Sequence, residues 1–160
     1  MMVLDSLASV SPASTIREEE LQSRLVMPRA QLLLVSGFRA DHRVLGRMID
    51  HEFWNLLSVH TCEQALRQLN STSISVVVCE RFLPDGTWRE VFDRLDAMPR
   101  APLLVVTSGR ADDHLWAEVL NIGGYDVLAK PFCREEVRRV LESASSFHKE
   151  YRYRTGAAGA

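Results

Sequence analysis

Apolar and polar positions alternate along residues 31–146 in a pattern that predicts both strands and helices. Five apolar runs have strand length, and the run at 76–79 is rich in β-branched residues, as a strand buried on both faces of a sheet requires. The predicted strands lie at 31–35, 55–60, 76–80, 103–106 and 127–129. Each is followed by apolar residues spaced three or four positions apart, which is typical of a helix with one buried face. This alternation predicts a doubly wound α/β fold with five parallel strands and five helices.

Capping residues set the bounds of the predicted helices. Thr87 with Glu90, and Thr61 with Gln64, have the spacing of a capping box, in which each residue binds the other's backbone at a helix start. The glycine pair at 123–124 ends the fourth helix. The predicted helices are residues 41–53, a segment after Thr61, residues 87–97, residues 111–122, and a last segment that carries Val137, Val140, Leu141 and Ala144.

The two ends of the chain are predicted to lie outside this domain. A short amphipathic helix is expected in an otherwise flexible leader, with Ile16, Leu21 and Leu25 as its apolar residues. This helix has two open interpretations, a solvated leader or a segment that binds a partner or a second copy. The predicted organisation is a leader at 1–30, one domain at 31–146 and a C-terminal tail at 147–160.

Composition and charge narrow the class of protein. The net charge is −2 and 46% of the residues are hydrophobic, so no excess of positive charge attracts nucleic acid or an anionic membrane surface. No apolar run approaches the ~20 residues of a membrane span. Cys62, Cys79 and Cys133 lack metal-type spacing and are odd in number, which indicates free thiols in a reducing compartment. The sequence therefore predicts a cytoplasmic protein.

The third predicted strand ends at a carboxylate, Glu80. Ligands bind at the carboxyl ends of strands in an open α/β sheet, and Glu80 is expected as a lone carboxylate at this rim. Thr107 and Ser108 follow the fourth strand and reach the same rim.

Three motifs in this order resemble the receiver domain of two-component response regulators. They are Leu83-Pro84-Asp85-Gly86 after the third strand, Thr107-Ser108 after the fourth, and the run from Gly123 through Lys130-Pro131-Phe132. The resemblance covers residues 31–146. It implies a flavodoxin-like (CheY-like) sheet of strand order 2-1-3-4-5 and a cis peptide bond between Lys130 and Pro131.

The resemblance also implies which residues occupy the phosphorylation pocket. A working receiver takes a phosphoryl group from a histidine kinase onto an aspartate, next to a divalent cation held by two acidic residues that end the first strand. Glu80 stands at the aspartate position, and Ser36 and Gly37 stand at the acidic pair. Thr107 and Lys130 match the hydroxyl and the lysine that bind the phosphoryl group.

Two more positions bear on the pocket. Val127 stands where receivers carry the aromatic switch residue, so the rotamer change that reports phosphorylation is removed. Asp41 is a candidate replacement for one metal ligand, but a cap at the start of a helix explains it better.

These departures favour a pseudo-receiver, a signalling module that acts by protein–protein interaction without aspartate phosphorylation and is not an enzyme. No cofactor is expected, and magnesium binding is expected to be lost. Glu80 could contact Thr107 and Lys130 in place of a phosphorylated aspartate and bias a two-state equilibrium, or it could form only a structural ion pair. The alternative function is a phosphoacceptor in a phosphorelay that uses Glu80 or Asp85. A third interpretation, an anion or flavin-phosphate site at residues 36–39, is less favoured.

The expected partner is another protein, either a regulator, a kinase or an output protein, and no nucleic acid or membrane. Receivers also form homodimers, so a second copy is a further candidate. The surfaces considered are the face of the last two helices and the leader. Trp54, Trp88 and Trp116 are either interface anchors or core residues. The five histidines are scattered and are assigned no site.

Overall fold

The computed structural model describes residues 29–157. The predicted leader helix therefore lies outside the described residues. No helix within 29–157 is both long and apolar enough to cross a membrane.

The core of the fold is one parallel sheet of five strands, as predicted. The strands are β1 (Ala30–Val35), β2 (Trp54–Val59), β3 (Val76–Glu80), β4 (Leu103–Ser108) and β5 (Asp126–Ala129). Their order in the sheet is 2-1-3-4-5. Every residue of β3 is buried because this strand is central and is covered on both faces. A small antiparallel pair, Phe82–Leu83 with Gly86–Thr87, forms the turn after β3.

Five helices cover the two faces of the sheet. They are α1 (Arg39–Met48), α2 (Cys62–Ser71), α3 (Trp88–Asp96), α4 (Asp113–Ile122) and α5 (Arg134–Ala157). One core cluster lies beneath α2, α3 and α4, and the other lies beneath α1 and α5. Trp54 and Trp88 belong to these clusters and Trp116 packs against the first, so the tryptophans serve the core.

One predicted capping box is confirmed and the other forms only in part. The Thr61 side chain accepts a hydrogen bond from the Gln64 backbone at the start of α2, but the Gln64 side chain accepts from the His60 backbone and not from Thr61. The Thr87 and Glu90 side chains form the predicted capping box of α3. Gly123 ends α4 with a φ of 108°, a left-handed conformation that glycine adopts without strain.

Two helix ends differ from the prediction. Helix α1 ends at Met48 and not at 53, because Ile49 has extended backbone angles and the Asp50 carbonyl accepts bonds from Phe53 and Trp54 in the turn to β2. Helix α5 continues to Ala157, beyond the residue where the tail was predicted to begin. The first helix is therefore shorter and the last one longer than the apolar pattern alone indicates.

Candidate functional site

The predicted site residues meet at one edge of the sheet, where the parallel strands end. Glu80 is the last residue of β3 and pairs in register with Thr107 of β4. Ser36 directly follows β1, and Lys130 directly follows β5. The peptide bond between Lys130 and Pro131 is cis, as the resemblance implies.

Glu80 is held by the two residues that the resemblance identifies as phosphate ligands. Its Oε2 atom lies 2.5 Å from the Lys130 Nζ atom and accepts a hydrogen bond of 3.1 Å from the Thr107 hydroxyl. Glu80 is only 4% exposed and Thr107 is fully buried, so these contacts are largely shielded from water. The carboxylate therefore contacts the two groups to which the resemblance assigns a phosphoryl oxygen.

Asp41 is a second carboxylate in this pocket, so the prediction of a lone carboxylate is wrong. Asp41 Oδ2 accepts a hydrogen bond of 2.6 Å from the Ser36 hydroxyl and lies 3.0 Å from Lys130 Nζ. The interpretation of Asp41 as a helix cap is also wrong. The N-cap position of α1 is Phe38, which makes no side-chain capping bond, and the buried Asp41 carboxylate faces the pocket from the first turn.

A sequence signal for Asp41 exists in the helical spacing. Asp41 precedes the buried Leu45 by four residues, which places both on the inward face of α1. An acidic residue on the inward face of a helix needs a buried partner, because an unpaired buried charge is strongly unfavourable. Asp41 is a candidate pocket ligand in the sequence, but its position near a helix start favoured the wrong interpretation as a cap.

The pocket holds two negative charges and one positive charge. Burial lowers the pKa of the Lys130 ammonium, but its hydrogen bonds and its attraction to Glu80 and Asp41 outweigh burial, so the pKa lies above its usual value. The Lys130 ammonium also lies 4.5 Å from the centre of the Phe38 ring, within cation–π distance. Lys130 is therefore charged at neutral pH and contacts both carboxylates.

The carboxylates that could bind a divalent cation are Asp41 and Glu80, and both already contact Lys130. The Ser36 hydroxyl donates to Asp41, and Gly37 offers no side-chain oxygen. A Cβ atom at Gly37 would lie 3.0 Å from Pro84, so even a small side chain requires that proline to shift. Within residues 29–157, no three acidic, histidine or cysteine side chains are grouped to bind a metal. This donor set does not fit the cation site of a working receiver.

Asp85, the alternative phosphoacceptor, is engaged elsewhere. Its two carboxylate oxygens accept hydrogen bonds from the backbone of Cys62 at 2.7 Å and of Glu63 at 3.0 Å, at the start of α2. Slight burial raises the pKa of Asp85, but these backbone bonds outweigh it and hold the pKa below its usual value. The Asp85 carboxylate thus satisfies free N–H groups of a helix end.

Two histidines fix the end of β1. His42 and His60 each bind the Ser36 carbonyl oxygen, at 2.8 and 3.1 Å, and their ring centres are 4.4 Å apart. The Ser36 hydroxyl accepts a bond from the Phe38 backbone. With Asp41 in the first turn of α1, this helix start presents a negative charge, which disfavours the anion site considered for residues 36–39.

Val127, at the switch position, is fully buried in β5. It belongs to the core cluster beneath α4, together with Val106, Leu115 and Val119. An aliphatic side chain packed in this way has no ring that could turn between a buried and an exposed rotamer.

Comparisons with known proteins agree with this geometry. The family model of the response regulator receiver domain matches residues 33–142. The chain is 28% identical over 131 residues to the transcriptional regulatory protein CpxR of Klebsiella pneumoniae subsp. pneumoniae (strain HS11286), which covers 81% of this chain and 55% of CpxR. It is 23% identical over 163 residues to the 3',5'-cyclic-nucleotide phosphodiesterase regA of Dictyostelium discoideum, which covers 96% of this chain and 21% of regA. The chain thus spans only part of the length of either relative.

A solved structure shares the fold. The signal receiver domain of an HD domain-containing protein from Pseudomonas fluorescens Pf-5 has a TM-score of 0.70 at 22% identity, and the match covers 77% of this chain and 99% of that one. The matched family model spans more than half of the chain, and the sheet has the strand order that the resemblance implies. The chain therefore belongs to the response regulator receiver domain family.

Proposed function

We propose that this receiver domain acts in two-component signalling by protein–protein interaction, without phosphorylation of Glu80. The observation that carries the proposal is the Lys130 ammonium, which contacts Glu80 at 2.5 Å and Asp41 at 3.0 Å. A phosphoacceptor needs a carboxylate that is free to attack and a cation that neutralises the incoming phosphoryl group. Here the carboxylate is already paired with the protein's own cation.

The contacts of Glu80 favour one closed state of the pocket. Hydrogen bonds to charged groups contribute roughly 1.5–3 kcal/mol each, and the burial of this pocket limits competition from water. Attack by Glu80 on a phosphoryl donor would first break its bonds to Lys130 and Thr107. For the same reason we propose that the pocket takes no magnesium ion and that the domain is not an enzyme.

Exposed apolar side chains offer surfaces for a protein partner. Phe38 and Phe82 are more than half exposed, and both lie near the pocket edge of the sheet. Leu120, Ile122 and Phe147 are exposed on the last two helices. Aromatic side chains of this kind are common anchors in protein interfaces. The partner classes that we consider are a regulator, a kinase, an output protein and a second copy of this chain. A cytoplasmic location stays a prediction.

A second candidate function is phosphate acceptance by Glu80 itself. The observation in its favour is that Thr107 and Lys130 are retained and contact the residue at the acceptor position. Asp85 is a weaker acceptor candidate because the start of α2 binds both of its carboxylate oxygens.

The experiment that separates the two functions exposes the chain to magnesium with acetyl phosphate or beryllofluoride. Amide NMR spectra report the pocket, and intact mass reports a stable phosphoryl adduct. We expect no saturable shifts at Glu80, Thr107 or Lys130 and no adduct. Saturable shifts with magnesium and beryllofluoride would overturn the proposal.

Matched variants identify the group that responds. If Asp85 is not the phosphoacceptor, the amide NMR spectrum of the Asp85→Asn variant should respond to these reagents as the spectrum of the parent chain does. The Glu80→Asp variant shortens the side chain by one methylene and tests whether the length of Glu80 keeps the pocket closed. A receiver with an aspartate acceptor, run in parallel, shows that the reagents are active.

A further inference from the structure

A groove of about 640 Å³ lies between the end of α1, the start of β2 and α5. Its apolar wall includes Met48 and Phe53, which are partly exposed, and Trp54, Val137 and Leu141, which are buried. The groove is distinct from the Glu80 pocket, because it lies where α1 ends and β2 begins, whereas that pocket lies where the strands end. The pocket residues described above make no use of it.

The described chain begins beside this groove. The backbone N–H of Ala30, the first residue of β1, donates a hydrogen bond of 3.0 Å to the carbonyl of Phe53, which lines the groove. Arg29 directly precedes this point, and residues 1–28 come before Arg29. The segment before β1 is therefore tethered within reach of the groove at a high effective concentration.

The length of the leader segment matches the groove. As a helix, residues 15–27 would be about 20 Å long, and the part of α5 from Arg134 to Lys149 that lines the groove is about 24 Å long. Leu21 and Leu25 are four residues apart and so share one side of a helix. These two leucines can cover the apolar wall.

The charges of the two surfaces are complementary. Arg134, Arg138 and Lys149 line the groove, together with the acidic Asp50 and Glu142, so its lining carries one excess positive charge. Arg138 is paired with Glu142 at 2.9 Å, and the Lys149 ammonium lies 4.7 Å from the centre of the Phe53 ring. The leader segment carries three consecutive glutamates at 18–20 and two arginines, which gives residues 15–27 one excess negative charge. Because the segment would enter the groove near Phe53 and run back along α5, its glutamates would lie toward the arginine end.

We propose that residues 15–27 of this chain occupy the groove as a helix, with Leu21 and Leu25 against the apolar wall. None of the residues that line the groove belongs to the Glu80 pocket. This intramolecular contact covers the exposed parts of Met48 and Phe53, so a protein partner for this face would have to displace the segment.

Paramagnetic broadening in the full chain tests the proposal. A nitroxide is attached to a Ser23→Cys variant in a Cys133→Ser background. Ser23 is two residues from both Leu21 and Leu25, so the label would lie on the opposite side of the helix from these leucines. The two remaining native cysteines, Cys62 and Cys79, are buried and should not take up the label. We expect strong broadening of the Phe53, Trp54 and Leu141 amides. Absence of this broadening would overturn the proposal.

Two controls distinguish the occupants of the groove. When nitroxide-labelled protein is mixed with unlabelled, isotope-enriched protein, we expect no broadening, and broadening in the mixture would assign the groove to a second copy instead. In the labelled chain, Leu21→Asp with Leu25→Asp should abolish the effect. Leu4→Asp with Leu7→Asp makes the same chemical change outside the segment and should retain it; equal loss in both variants would contradict the assigned residues.

Discussion

The Lys130 ammonium lies between two carboxylates that the fold has removed from water. Glu80 and Asp41 are each less than 10% exposed, and Lys130 is their shared cation. Replacing Lys130 with methionine keeps most of the side-chain volume and leaves two buried negative charges close together. We expect the free energy of unfolding to fall by about 3 kcal/mol. Chemical denaturation at pH 7 measures this change.

The stability difference between the parent chain and Lys130→Met should decrease at high pH. The pKa of Lys130 is raised in the folded state, so its stabilising effect is full below the unfolded lysine pKa and disappears as the pH rises through the folded value. The difference between the parent and Lys130→Met should therefore be constant from about pH 7 to 9 and shrink above about pH 10.5. Arg67→Met breaks an exposed ion pair with Glu63 and should cost no more than about 0.5 kcal/mol. Equal losses in the two variants would show that the pocket charges are not coupled.

The three cysteines should differ sharply in reactivity. Burial, with smaller contributions from the charges of Asp85 and Glu90, raises the pKa of the Cys62 thiol to about 11. Burial likewise raises the pKa of Cys79, whereas Cys133 is exposed. Because the thiolate is the reactive form, a thiol reagent at pH 8 should modify one cysteine quickly and two only on unfolding. A rapid reaction that persists in the Cys133→Ser variant would contradict this assignment.

At the scale of single residues, the residues of the pocket were predictable from the sequence, but the contact between Lys130 and Asp41 was not. Glu80, Thr107 and Lys130 were predictable because strand ends in a parallel sheet meet at one edge. The contact of Asp41 with Lys130 was not predictable, because it depends on how α1 turns its inward face toward Lys130. A side-chain contact between residues so far apart in the chain follows from tertiary packing and not from local spacing.

Between elements, Asp85 joins the turn after β3 to the start of α2. Its two bonds to the Cys62 and Glu63 backbones act as a capping interaction supplied from outside the helix. Asp85→Asn should therefore lower the free energy of unfolding at pH 7 by about 1 kcal/mol. Thermal or chemical unfolding detects the change, and Asp93→Asn on the exposed side of α3 is the control.

Acid pH should remove this contribution of Asp85. The pKa of Asp85 is lower in the folded state than in the unfolded chain, so its stabilisation is present above the unfolded pKa and is lost as the pH falls through the folded value. The stability difference between the parent and Asp85→Asn should be constant from about pH 5 to 7 and decrease below about pH 4. A difference that grows on acidification would exclude the capping role.

The bounds of the elements were predictable where a side chain marks them. Thr61 and Thr87 mark the starts of α2 and α3, and both caps are present. The end of α1 carries no such mark, because Ile49 and Phe53 continue the apolar spacing although the backbone already turns at Ile49. Apolar spacing records which residues are buried, and a turn that packs against the core buries its residues as a helix does.

In the whole molecule, helices α1 and α5 connect the Glu80 pocket with the groove. Helix α1 begins near the pocket with Asp41 and ends at the groove with Met48. Helix α5 follows Lys130 and continues past Lys149, which also lines the groove. The sheet order and the two-faced core were predictable from the strand and helix pattern, whereas the groove was not, because it arises from packing between segments that are distant in sequence.

The bond between Lys130 and Asp41 also has a consequence for the order of folding. These residues are 89 positions apart and follow strands that are separated by β3 and β4, so we expect their contact to form only after β1, β3, β4 and β5 have assembled. Contacts formed after the folding transition state affect the unfolding rate and leave the folding rate nearly unchanged. In stopped-flow experiments, Lys130→Met should unfold roughly 100-fold faster and fold at nearly the parent rate. The pocket would then set how long the domain remains folded, independently of how fast it reaches that state.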